Sequence, residues 1–135
     1  MGLTILVDSN VILDVVTDSP EWYDWSVKQL NRLAVTDELA INDIVYSEIS
    51  PSFQRFEDVS AVVEQMGLRL RPMPRAALFL AAKVHRVYKH GGGAREGTLP
   101  DFFIGAQAAV EGFGLLTRDV RRFRTYFPTL ELITP

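Results

Sequence analysis

The chain has 135 residues, and 47% of them are hydrophobic, enough for the core of about one domain and too many for a disordered segment. It has no cysteine, which excludes disulfides, thiolate zinc sites and a cysteine nucleophile and fits a reducing cytoplasm. The net charge of −3 excludes binding to polyanions through bulk charge, so any nucleic-acid contact needs a local basic patch or a metal.

Leu3-Thr4-Ile5-Leu6-Val7 reads as a short buried strand ending at Asp8. It carries no basic leader, and no apolar stretch approaches the roughly 20 residues that span a bilayer, so a cytoplasmic protein without membrane contact is expected. A short helix follows from Val11 to about Thr17. Pro20 suits the first turn of the next helix, whose apolar positions run from Trp22 to Leu33 at helical spacing. Leu39-Ala40-Ile41 is a second buried strand. Asn42 or Asp43 caps a helix that Pro51 kinks or ends. Phe56 to Met66 is amphipathic and closed by Gly67. Leu68 to Pro72 alternates like an edge strand, since Pro72 blocks further pairing. Arg75 to His90 is a long helix, stopped by Gly91-Gly92-Gly93. Leu99 to Val110 is a very apolar helix with small residues for close packing. Leu115 to Thr117 is a strand, Val120 to Phe127 a basic helix, and Leu130 to Thr134 a last strand. Strands alternating with helices give an α/β chain with a parallel sheet covered on both faces.

Four acids stand at strand ends and helix starts: Asp8, Glu48, Asp101 and Asp119. Each has an ordinary explanation. Asp8 and Asp119 suit helix N-caps, Glu48 an exposed helical position, and Asp101 a capping box with Thr98. Together they form a pattern, because α/β sheets bind ligands beyond the carboxyl ends of their strands. Converging carboxylates repel one another unless a cation lies between them, and oxygen donors suit Mg²⁺ or Mn²⁺. Competing sites are weaker. His85 and His90 lack the i, i+4 spacing of a helical zinc pair. The triple glycine is no phosphate-binding P-loop, and no G-x-G-x-x-G follows the first strand. Asp8-Ser9-Asn10 lacks the second acid of an Asp-x-Asp phosphatase.

The carriers of a family resemblance are Val7-Asp8-Ser9-Asn10-Val11-Ile12-Leu13-Asp14, Ser47-Glu48-Ile49, Leu99-Pro100-Asp101-Phe102-Phe103-Ile104-Gly105-Ala106-Gln107-Ala108 and Leu115-Leu116-Thr117-Arg118-Asp119. In order and spacing, across nearly the whole chain, they resemble the PIN domain. That family of metal-dependent ribonucleases includes the VapC-type toxins of toxin–antitoxin pairs. The resemblance implies one PIN-like α/β domain over residues 1–135, a parallel sheet flanked by helices on both faces. It implies Asp8, Glu48, Asp101 and Asp119 as the catalytic, metal-holding quartet, with Asn10 and Thr117 as polar neighbours that orient ligands or water. It further implies Mg²⁺- or Mn²⁺-dependent endoribonuclease activity leaving a 5′-phosphate and a 3′-hydroxyl, a cognate small antitoxin, and a homodimer. One departure is that Ile104-Gly105 and Ser9-Asn10 supply no additional acid, so a second ion is expected to bind weakly or only with substrate phosphate.

Arg118, Arg121 and Arg122, with Arg124, cluster around Asp119. They read either as a patch that steers RNA phosphate or as a solvated helix face. Trp22, Tyr23 and Trp25 read more readily as core or interface than as base-stacking groups. Trp22, Trp25 and Phe56 mark the expected antitoxin surface. The rival from another class is a catalytically weak PIN-like module that binds RNA or protein.

Overall fold

A computed structural model describes residues 2–91 and 99–135. The strands β1 (Thr4–Val7), β2 (Glu38–Ile41), β3 (Arg69–Leu70), β4 (Gly114–Leu116) and β5 (Leu132–Ile133) form one all-parallel sheet in the order β3-β2-β1-β4-β5. Successive side chains of a strand point to opposite faces. Yet Ile5, Leu6 and Val7 are all buried, as are Leu39, Ala40 and Ile41, and Gly114, Leu115 and Leu116. Both faces of the three central strands are therefore covered, which is why those strands read as unbroken apolar runs.

The helices are α1 (Ser9–Val16), α2 (Tyr23–Thr36), α3 (Asp43–Ile49), α4 (Phe56–Gln65), α5 (Arg75–His90), α6 (Leu99–Glu111) and α7 (Val120–Tyr126). Asn42 caps α3, its Oδ1 accepting from the Val45 amide at 2.9 Å. Pro51 lies in the 3-10 turn Ser50–Ser52 that ends this helix. Gly67, at φ 69°, follows α4 in the left-handed conformation that favours glycine. The triple glycine beyond Gly91 and the capping role expected of Thr98 lie outside the described residues.

Several boundaries differ from the sequence reading: α1 starts at Ser9 rather than Val11, and β4 spans Gly114–Leu116 rather than Leu115 to Thr117. The second helix begins at Tyr23 rather than near Pro20, because Ser19 holds a turn first: its Oγ accepts from the Trp22 amide at 3.3 Å and its carbonyl from the Tyr23 amide at 3.0 Å. The strand expected over Leu68 to Pro72 shrinks to two residues at the sheet edge, although the Arg71 amide still donates to the Ile41 carbonyl at 2.8 Å. The last strand contracts to Leu132–Ile133 for the same reason: an edge strand pairs on one side only.

Two features fix the helices that carry the later acids. His85, Tyr88, Phe102, Tyr126 and Phe127 form an aromatic cluster joining α5, α6 and the end of α7, with the fully buried Phe102 ring 5.3 Å from Tyr88 and 5.5 Å from Tyr126. Phe127 packs so closely over Gly105 that a Cβ there would collide with the ring. Gln107, buried in the same apolar helix, accepts from Asn42 Nδ2 at 2.9 Å and donates to the Pro72 carbonyl at 3.1 Å. It straps α6 to the ends of β2 and β3. Among the described residues, no helix is long and apolar enough to cross a membrane.

Candidate functional site

In an open parallel sheet the ligand crevice lies beyond the carboxyl ends of the two strands whose connections depart in opposite directions. Here that pair is β1 and β4, since β1 leads towards β2 on one side and β4 towards β5 on the other. Asp8 directly follows β1, and Thr117 directly follows β4.

Asp8 is 5% exposed. Its Oδ2 accepts from Thr117 Oγ1 at 2.7 Å, and its Oδ1 accepts from the Ser9 amide at 2.8 Å, capping α1. The cap and the site role coexist because a carboxylate has two oxygens. Burial pushes the Asp8 carboxyl up from 3.8 to about 6. The hydrogen bonds from Thr117 and Ser9 oppose that rise, and the charges of Asp101 and Asp119 add to it. Thr117 Oγ1 also accepts from the Asp119 amide at 3.0 Å. Asn10 reaches Thr117 Oγ1 through Nδ2 at 3.5 Å and accepts from the Arg118 amide at 3.4 Å. Asn10 and Thr117 thus tie the start of α1 to the loop after β4.

Glu48 enters from α3. Its carboxyl is also raised, first by burial and then by the charges of Asp8 and Asp101, against the hydrogen bond from Ser9. Its Oε1 is buried and has no hydrogen-bond partner among the described residues. Such an atom carries an uncompensated desolvation cost.

Asp101 sits in the first turn of α6 and Asp119 just before α7. Asp119 occupies an N-cap position but makes no side-chain cap bond, so the capping explanation does not account for it. Arg122 Nη1 lies 2.6 Å from Asp119 Oδ2 and 3.4 Å from Asp101 Oδ2. All four acids therefore meet at one end of the sheet, close enough for Asp8 to feel Asp101 and Asp119 and for Glu48 to feel Asp8 and Asp101. As they stand, no three His, Cys, Asp or Glu side chains among the described residues are arranged to hold a metal ion.

The arginines read as one patch have separate placements. Arg118 forms a two-pronged pair with Asp14, at 2.8 Å through Nε and 2.9 Å through Nη2, and its guanidinium lies 5.0 Å above the Trp22 ring. Arg122 faces the acids, and Arg121 is exposed. The aromatic surface divides as well. Trp22 packs edge-on against Trp25 at 6.0 Å, whereas Phe56, 72% exposed, borders an apolar groove of about 550 Å³ with Tyr46, Val63, Leu68 and Leu70.

Sequence reasoning gave no role to Ser9, Asp14 or Gln107. The signal for the last two was a lone polar residue within an apolar helical run, since such a residue, if buried, needs a partner. Asp14 finds Ser26 Oγ at 2.7 Å as well as Arg118.

The sequence matches the family model of the PIN domain over residues 5–127. No curated protein sequence matches the chain. Solved structures with a similar fold include VapBC2 from Rickettsia felis bound to a DNA fragment from its promoter, at TM-score 0.76 and 18% identity, covering 98% of this chain and 99% of that one. VapBC-1 from nontypeable Haemophilus influenzae gives TM-score 0.74 at 18% identity, with 98% of each chain covered. A toxin–antitoxin complex from Klebsiella pneumoniae gives 0.66 at 17% identity, with 97% of each covered.

Proposed function

The chain belongs to the PIN domain family, and from that premise we propose that it is a Mg²⁺- or Mn²⁺-dependent endoribonuclease, the toxin of a VapBC-type pair held in check by a small antitoxin. The observation that carries the reading is the convergence of Asp8, Glu48, Asp101 and Asp119 around a desolvated Asp8 carboxyl and a buried Glu48 oxygen that has no hydrogen-bond partner among the described residues. Negative charge is undercompensated there, and every donor is a hard oxygen, which fits a hard divalent cation. These four residues would hold the ion. When bound, it supplies charge neutralisation at a phosphodiester and lowers the pKa of water.

The chain's own groups prepare that chemistry. Thr117 fixes the orientation of Asp8, and Asn10 fixes Thr117. Ser9 supports both Asp8 and Glu48. The carboxylates arrive on the ends of a strand and three helices, so little reorganisation is left for the reaction itself. Purified protein is expected to cleave RNA internally in Mn²⁺ or Mg²⁺, to leave 5′-phosphate ends, and to stop in chelator. Its melting free energy is expected to rise by about 2.7 kcal/mol at a hundredfold excess of ion over Kd. Cleavage that persists in chelator, or RNA binding without cleavage in either ion, would favour the weak binding module.

An unchecked ribonuclease harms its own cell, and several proteins of similar fold are toxin–antitoxin complexes. We therefore place an antitoxin segment in the groove beside Phe56, where a large aromatic face is left in water. Co-expression with the neighbouring reading frame is expected to yield a co-purifying small protein. Phe56→Glu is expected to lose that partner while RNA cleavage is unchanged, and retention of the partner would move the contact elsewhere. A homodimer belongs to the same reading, with Phe79 and Val87 leaving exposed apolar surface on α5.

A further inference from the structure

Arg122 stands between two of the four acids, in the first turn of α7. Its side chain is 17% exposed, so the contacts with Asp119 and Asp101 are more than a loose surface pair. A guanidinium keeps its charge at any relevant pH and has no acceptor atom. It therefore acts as a permanent single positive charge between carboxylates brought in by α6 and α7. A divalent ion drawn to the same two carboxylates meets the repulsion of that fixed positive charge, and Arg122 already occupies the Oδ2 atom of both. Next to this contact lies a cavity of about 250 Å³, lined by Tyr88, Asp119, Arg121, Arg122, Thr125 and Tyr126. The side chain has room to turn into it.

We propose that Arg122 is an exchangeable counter-cation. In the metal-free protein it holds Asp101 and Asp119 together. A divalent ion displaces it, and the guanidinium turns into the adjoining cavity beside Arg121, where it is free to meet a phosphate. The Asp101–Asp119 side of the site is thus held by its own arginine until metal arrives. This rests on the metal-site reading above and adds a competitor to it.

The consequence is opposite to that of an ordinary positioning arginine: its removal strengthens metal binding. Mn²⁺ affinity is measured by calorimetry, without RNA, for the native protein, Arg122→Gln, Arg122→Lys and Arg121→Gln, and each is melted in chelator. Arg122→Gln is expected to bind Mn²⁺ about tenfold tighter or more, equivalent to about 1.4 kcal/mol, and to melt lower in chelator. Arg122→Lys, which keeps the charge but loses the planar fork, is expected to fall between them and serves as the test if the glutamine variant does not fold. Arg121→Gln removes the same charge one residue away and is expected to leave Mn²⁺ affinity unchanged. Equal affinities for native protein and the Arg122 variants overturn the exchange but leave the metal site intact. An equal gain in Arg121→Gln reduces the effect to net charge and also overturns it. No Mn²⁺ binding by any of the four overturns both readings.

Discussion

Replacing Asp8 with asparagine is expected to raise the melting temperature of the metal-free protein at pH 8 while removing RNA cleavage. The folded carboxyl keeps its proton up to about 6, whereas the unfolded one releases it near 3.8. Between these values the native state binds more protons than the unfolded state, so stability falls as pH rises through the window. The deficit is complete above the folded value and amounts to about 3 kcal/mol. An amide has no charge to desolvate and escapes this deficit, but it accepts less well from Thr117, a loss of about 1 kcal/mol. The net expectation is a gain of about 1–2 kcal/mol, or on the order of 5 °C. Melts in chelator across pH 4 to 8 check the sign: the native protein loses stability through the window, and the variant loses much less. Activity should move the other way. Loss of a group behind a metal ligand costs about 10–100-fold, so loss of a ligand should exceed about 100-fold. A variant that is less stable at every pH, and still cleaves, would sink the assignment of Asp8 as a buried ligand.

The other large effect is expected at Phe102. It is fully buried, contacts rings from α5 and from the end of α7, and stands next to Asp101. Phe102→Ala should cost about 3–5 kcal/mol, the usual range for an emptied aromatic site. Set against a typical total of about 5–15 kcal/mol, this brings the domain near its unfolding threshold. Urea titration should show a lower midpoint at an unchanged slope. Metal-induced stabilisation should also shrink in the folded fraction, because the ring sets the spacing between the helices that carry Asp101 and Asp119. A loss below about 1 kcal/mol would mean that the neighbours collapse into the gap and that the spacing does not depend on this ring.

Much of this architecture is legible in the order of residues. Buried strands leave unbroken apolar runs, and Asn42, Pro51 and Gly67 act on the backbone within a few positions of themselves, so β1, β2, β4 and the limits of α3 and α4 could be read locally. The edge strands were legible only in part: Pro72 marked Leu68 to Pro72 as an edge, but the contraction of β3 and β5 to two residues each follows from pairing on one side only, which Leu68-Arg69-Leu70 and Leu130 to Thr134 do not record. Asp8, Asp101 and Asp119 stood out because each follows a strand or starts a helix, whereas Glu48, in the last turn of α3, gave no such local signal. Their partners were not legible either. Nothing near Arg118 indicates that it turns to Asp14, 104 residues away, while Arg122, four residues further on, turns to Asp101 and Asp119. Side-chain pairing across the fold depends on which helices become neighbours, and a basic run looks the same before that is decided.

The long reach of the Asp8–Thr117 bond, 109 residues, also bears on when the site comes into being. During synthesis Asp8 and Glu48 leave the ribosome early, but β4, Thr117 and Asp119 come near the end. At about 5–20 residues per second, the interval is on the order of ten seconds. Through that time β1 has one open edge, Asp8 has no hydroxyl beside it, and the wall carrying Asp119 and Arg122 is missing. A growing chain therefore lacks the assembled site until β4 and the residues that follow it have emerged. Premature stops before Gly114 leave fragments unable to assemble the site. The order of synthesis thus acts as a timer: the site closes only when its last wall arrives.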